Sequence, residues 1–151
     1  MLIREATTND IGQIQRVRHA VKENRLSDPS LVPDADVEDY ICRRGRGWVA
    51  EIDGRIIGFS IVSIPDQNVW ALFVDPDYEG RGAGRQLHDV MIDWYFSQTE
   101  SAVWLGTSPG TRAEQFYRKA GWRQNGMNGK DELKFEMDRN DWLSIRKPDL
   151  F

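Results

Sequence analysis

Three glycines and two arginines crowd into Gly80-Arg81-Gly82-Ala83-Gly84-Arg85, a composition suited to holding a phosphate-rich anion. Glycine lets backbone approach a ligand closely, and a helix that starts behind such a turn offers unpaired N–H groups and the positive end of its dipole. Arg81 and Arg85 can add charge-assisted hydrogen bonds, each worth about 1.5–3 kcal/mol when shielded from water. The plain alternative is a tight strand-to-helix turn that needs small residues, and the glycines alone do not decide between the two. Residue identity excludes two familiar anion loops. Arg85-Gln86 follows Gly84 where a nucleotide loop needs Lys-Ser/Thr, and Leu87 stands where a dinucleotide fingerprint has glycine.

The turn needs a strand to deliver it and a helix to receive it. Residues 69–74 are nearly all apolar, which predicts a central strand covered on both faces, broken by Asp75-Pro76-Asp77-Tyr78. The spacing then predicts a helix over about 82–96 with Ala83, Leu87, Val90, Met91 and Trp94 inward. Residues 102–105 read as the next strand. Thr111 with Glu114 matches a capping box opening a helix that ends at Gly121. Residues 122–127 and the alternating Leu133, Phe135 and Met137 flank Asn128-Gly129 as a closing hairpin, and 138–151 form a tail with a short helix around Trp142.

Upstream, Leu2-Ile3 predicts a short strand and Thr7 to Asp10 a cap. The following helix runs to near Asn24, with Ile11, Ile14, Val17 and Val21 inward and Gln13, Arg16, Arg18 and Lys22 outward. A proline-bearing loop over 26–33 leads to a helix capped by Asp36 and carrying Val37, Tyr40 and Ile41. Asp53-Gly54 suits the positive φ angles of a hairpin turn between strands at 48–52 and 55–62. The order is strand, two helices, three antiparallel strands, helix, strand, helix and hairpin. It predicts one α/β domain over 1–151, a mixed, mostly antiparallel sheet flanked by helices around a single core.

Composition narrows the function. The chain has 151 residues and a formal charge of −4, with a sequence pI near 5.2, which argues against nucleic acid as a partner. One cysteine excludes an intrachain disulfide, and two histidines supply no metal-ligand cluster. No apolar run approaches the roughly 20 residues of a membrane span, and the N-terminus lacks a signal pattern, so a cytoplasmic protein without membrane contact is expected. Cys42 has no histidine neighbour and reads as a buried structural cysteine, and His19 and His88 read as surface residues.

The stretch Val74-Asp75-Pro76-Asp77-Tyr78-Glu79-Gly80-Arg81-Gly82-Ala83-Gly84-Arg85-Gln86-Leu87 resembles the acetyl-CoA pyrophosphate motif of the GNAT superfamily, Gln/Arg-x-x-Gly-x-Gly/Ala. Arg112-Ala113-Glu114-Gln115-Phe116-Tyr117-Arg118-Lys119-Ala120-Gly121-Trp122 is similar to that family's second signature. Two departures stand out. Glu79 occupies the position usual for Gln or Arg, so the turn is expected to hold pyrophosphate through backbone and arginines. Gly110 stands where an Asn commonly contacts the cofactor.

The resemblance implies an acetyl-CoA-dependent N-acetyltransferase in which an amine attacks the thioester directly. Leu72, Phe73 and Val74 would pair with the pantetheine arm, a strand N–H near Phe73 would polarise the oxyanion, and Glu79 to Arg85 with Gly110, Ala113 and Phe116 would complete the cofactor site. Tyr117 falls where the family often keeps its general acid, with packed aromatic as the plain alternative. Glu23, Asn24 and Trp70 are implied acceptor contacts. Glu23, Glu51 and Asp66 are carboxylates that could serve as base, and none is assigned. A non-catalytic acyl-CoA sensor on the same fold is the other reading. C-terminal strands leave a homodimer open.

Overall fold

The computed structural model describes residues 1–21 and 32–146. The chain falls into two compact units, Met1–Tyr95 and Phe96–Phe151. The first contains β1 (Leu2–Glu5), α1 (Ile11–Ala20), α2 (Asp34–Asp39), a wide helical turn over Tyr40–Arg44, β2 (Gly45–Ile52), β3 (Arg55–Ser63) and β4 (Asn68–Val74). Helix α3 (Ala83–Gln98) follows, its last residues belonging to the second unit. Strands β1 to β4 pair in sequence order and antiparallel. Asp53 and Gly54 take φ of 50° and 80°, the conformation a two-residue turn demands between β2 and β3.

Residue alternation along β3 explains why its interior is buried throughout. Phe59 and Ile61 face α1 and join Ile11, Ile14, Val17, Val37, Ile41, Val49 and Ala71 in one core. Gly58 and Ser60 face α3: the Ser60 hydroxyl donates to the Leu87 carbonyl at 3.1 Å, and a Cβ at Gly58 would stand 3.0 Å from Leu87 Cδ1. Thus β3 is the strand covered on both faces. Leu72, Phe73 and Val74 of β4 are only half-buried, contrary to the expectation for 69–74. Apolar composition alone does not distinguish which of two adjacent strands receives both layers.

The second unit holds β5 (Val103–Thr107), α4 (Arg112–Lys119), β6 (Arg123–Asn128), β7 (Glu132–Met137) and α5 (Arg139–Arg146). Strand β7 lies between β5 and β6 and is antiparallel to both. Val103, Leu105, Phe135, Met137 and Trp142 are buried. Together the elements make the expected α/β composition, with antiparallel pairing and helices packed against strands.

Four sequence expectations change. Arg18 is buried, because it lies four residues after Ile14 and seven after Ile11, within the apolar stripe. His88 is buried as well, one turn before Met91 and Ile92. Cys42 is exposed, since the wide turn at Tyr40–Arg44 alters the helical period and keeps Ile41 inside in its place. Helix α2 begins at Asp34 behind Pro33, so Asp36 sits in its first turn and is not its cap. Among the described residues, no helix is long and apolar enough to cross a membrane.

Candidate active site

The glycine turn is held from below. Asp75, buried at the end of β4, accepts the Asp77 N–H at 3.0 Å and caps the short helical turn Pro76–Tyr78. Arg16 of α1 reaches the same carboxylate at 3.3 Å and donates to the Ile56 carbonyl at 2.5 Å, fastening the exit of β4 to the first helix. Gly80 and Gly82 then take φ of 79° and 83°, where an L side chain is strained. A Cβ at Gly80 would meet nothing within 4 Å, so the backbone there is open to a ligand.

Helix α3 makes its first internal bond from the Gln86 N–H to the Gly82 carbonyl at 3.1 Å. The N–H groups of Ala83, Gly84 and Arg85 precede it and have no partner within the helix. Arg81 lies over the Tyr78 ring at 5.1 Å, and Arg85 pairs with Asp89 at 3.3 Å. Asp89 also takes the hydrogen bond of buried His88 Nδ1 at 2.8 Å. Burial works to raise the Asp89 pKa, but His88 and Arg85 hold it below the usual carboxylate range. Glu79 is exposed. The turn therefore brings helix N–H groups and two exposed arginines into one short stretch of chain, a composition that fits a pyrophosphate.

Strand β4 turns one backbone edge to β3 and the other away from it. The Asp75 N–H donates to the Ile57 carbonyl at 2.8 Å, and Phe73 lies opposite Phe59 two residues further along the ladder. Antiparallel alternation makes Phe73 and Phe59 a hydrogen-bonded pair, so the N–H groups turned to the other edge belong to Leu72 and Val74. The oxyanion donor expected near Phe73 is accordingly a neighbour of Phe73. A bulge against Ile61 and Val62 leaves Trp70 as the extra residue of β4, which turns its ring to the α1 face beside Ala71. There it stacks on Tyr40 with centroids 3.9 Å apart and planes 7° apart.

In the second unit, Tyr117 sits on α4 and is 6% exposed. Its ring meets Phe116 and Trp122 edge-on at 5.3 and 5.7 Å, and burial pushes its phenol above the usual range. Helix α4 is closed at both ends. Thr111 accepts the Glu114 N–H at 3.3 Å, and Glu114 Oε1 accepts the Gly110 N–H at 2.8 Å, one residue before the expected capping-box partner. At the other end Gly121 N–H bonds to Arg118 and Trp122 N–H to Tyr117, with Gly121 at φ 100°, a Schellman cap. Ala113 and Phe116 lie half-buried on this helix, and Gly110 is exposed at φ 78°.

Of the carboxylates considered as base, Glu51 pairs with Arg4 at 3.6 Å, while Asp66 accepts the Ser63 hydroxyl at 2.9 Å and pairs with Arg44 at 3.4 Å. Glu23 and Asn24 lie outside the described residues. Sequence reasoning missed Arg18, which stands 5.0 Å from the Trp70 ring and 5.2 Å from that of Phe73. The available signal was its place in the helical stripe.

Comparison with known proteins agrees with the two motifs. Residues 14–122 match the acetyltransferase (GNAT) family. An uncharacterized N-acetyltransferase of Archaeoglobus fulgidus is 28% identical over 145 residues, covering 85% of this chain and 97% of that protein. The peptidyl-lysine N-acetyltransferase YjaB of Escherichia coli is 31% identical over 87 residues, covering 57% of this chain and 55% of that one. The crystal structure of the PaiA N-acetyltransferase of Thermoplasma acidophilum, in complex with coenzyme A, shares the fold with a TM-score of 0.79 at 17% identity, over 91% of this chain and 98% of that one. With both signatures in place and most of its length matched, the chain belongs to the GNAT family of N-acetyltransferases.

Proposed function

We propose that the protein uses acetyl-CoA to acetylate a primary amine by direct transfer. The observation that carries this reading is the turn before α3, where Gly80 and Gly82 hold positive φ and free the approach to the helix N–H groups. The PaiA protein that shares the fold was crystallised with coenzyme A, which supports the same donor here.

In this reading Gly80 to Arg85 hold the pyrophosphate, and Leu72 and Val74 offer N–H groups to the pantetheine arm and the developing oxyanion. The amine attacks the thioester carbonyl, and the tetrahedral adduct collapses with loss of the CoA thiolate. A thiol has a reference pKa of about 8.5 and a phenol about 10, so full proton transfer from Tyr117 to that thiolate is uphill by about 2 kcal/mol before burial is considered. Burial makes the phenol weaker still. Tyr117 is therefore assigned to hydrogen-bond the departing sulfur while keeping its own proton; the proton shed by the attacking nitrogen passes to solvent, which protonates the thiolate as CoA leaves.

A lysine-like amine with pKa about 10.4 costs about 4.6 kcal/mol to deprotonate at pH 7, against about 1.4 for a peptide α-amine near 8. The pairing of Glu51 and Asp66 favours acceptors of the second kind, which need less help from a base.

The test combines calorimetric titration with CoA and a thiol-release assay over a panel of amines. Micromolar binding with acetyl-CoA-dependent release of CoA is expected. Tight CoA binding without release for any amine would favour the sensor reading, and absence of CoA binding would end both.

A further inference from the structure

Arg18 is 7% exposed, yet its Nε and Nη2 have no hydrogen-bond partner among the described residues. Its guanidinium carbon lies 5.6, 5.0 and 5.2 Å from the ring centroids of Phe59, Trp70 and Phe73. Burial alone pulls its pKa down to about 10, so the group stays cationic at neutral pH, and among the described residues no carboxylate pairs with it. Ring faces offset part of the lost hydration but satisfy none of the N–H donors. A buried charge without a counter-ion is costly, and a chain that keeps one leaves a place for an anion from outside.

The orphaned atoms specify that anion. Nε–H and Nη2–H point in parallel from one edge of the guanidinium, the fork that receives both oxygens of a carboxylate. One turn earlier on the same face, Gln15 Nε2 donates to the Val32 carbonyl at 2.7 Å and to Asp34 at 3.3 Å. The Val32 carbonyl only accepts, which fixes the amide and leaves Gln15 Oε1 buried without a partner among the described residues. A ligand seated here is thus offered a two-pronged donor and an acceptor for an N–H or O–H of its own. Tyr40, stacked on Trp70, holds one wall of the seat.

We propose that Arg18 binds a carboxylate of the acceptor, so that the amine acetylated belongs to an amino acid or short peptide with a free carboxylate. This deepens the proposed function and rests on it for the identity of the reaction. Phe73, one wall of the seat, lies in the stretch of β4 to which that reading gives the thioester arm, which puts an anchored acceptor beside the reacting strand. The seat itself needs no acetyl-CoA.

Matched pairs test it: glycylglycine against glycylglycinamide, 4-aminobutyrate against 4-aminobutyramide, and lysine against cadaverine. Each is measured by the shift in Tm without acetyl-CoA and by CoA release with it. The carboxylate member is expected to raise Tm and to show a roughly ten- to hundredfold higher kcat/KM, carried by KM, as one charge-assisted fork allows. Arg18→Met should erase both differences, and Arg18→Lys, which keeps charge without the fork, should erase most of them. Equal behaviour within the wild-type pairs, no Tm shift with any carboxylate, or a preference that survives in Arg18→Met overturns the proposal. So does stronger stabilisation by O-phosphoethanolamine than by any carboxylate. Arg18-dependent Tm shifts without CoA release from any amine would sustain the seat and overturn the transferase reading.

Discussion

Helices α3 and α4 both follow a strand and a glycine turn, yet they finish their N-termini differently. At α4, Thr111 and Glu114 supply oxygens to the Glu114 and Gly110 N–H groups, so the positive end is met by the chain itself. At α3 the residue before the helix is Gly82, which has no side-chain oxygen, and a second glycine with positive φ stands two residues earlier. One helix start is closed by side-chain oxygens, and the proposed function gives the other to the pyrophosphate. The contrast separates a turn that needs small residues for folding from one that needs them for binding, which glycine count alone does not.

The strongest way to break this contrast is Gly82→Val. A β-branched residue at φ 83° is strained and also blocks the approach to the helix N–H groups. CoA affinity should fall roughly hundredfold by calorimetry, equivalent to about 2.7 kcal/mol, with the circular dichroism spectrum retained. Undiminished affinity would mean that α3 is closed too. Tyr117→Phe sharpens the contrast by asking whether α4 contributes a side chain instead of its N-terminus. We expect kcat to fall about ten- to a hundredfold, as loss of one hydrogen bond to developing charge predicts, with the KM for acetyl-CoA nearly constant. Unchanged kcat would reduce Tyr117 to packing.

A third helix start extends the comparison. Asp10, ahead of α1, accepts the Thr7 N–H at 2.8 Å and both Arg4 hydrogen bonds at 2.9 Å. The Arg4 hydrogen bond, against the opposing effect of burial, holds its pKa below the usual range. A depressed carboxylate pKa stabilises the fold above the unfolded value of about 3.9, and that stability is lost as pH falls through the folded value. Asp10→Asn should cost about 1–2 kcal/mol in urea melts near pH 7, allowing for the partial exposure of Arg4, and should flatten the acid limb below about pH 4. An unaltered acid limb would place that loss elsewhere. The smallest effect expected is that of Thr111→Ala, about 1 kcal/mol of stability with CoA affinity unaltered. Weakened CoA binding there would show that the α4 start also serves the donor.

Much of this was legible because local rules and the tertiary structure agree. Asp53-Gly54 dictates its hairpin, the apolar spacing over 83–95 dictates α3, and Thr111 and Gly121 mark the ends of α4. Arg18 was misplaced because residue type was weighed above position: helical geometry puts it under Ile14, and a charged residue there signals function or a missing partner. Buried His88 follows the same logic on α3. The exposure of Cys42 and the side to which Trp70 turns are hidden for a different reason. A wide helical turn and a strand bulge each shift the side-chain period by local backbone geometry, which no apolar pattern announces.

The open start of α3 is tested most directly by titrating 15N-labelled protein with inorganic pyrophosphate, which isolates the anion from the rest of the donor. Amide shifts should gather on Gly80 to Arg85, with Gly110 to Glu114 unmoved. Shifts centred on Gly110 to Glu114, or none across Gly80 to Arg85, would contradict the assignment of the glycine turn as the phosphate cradle.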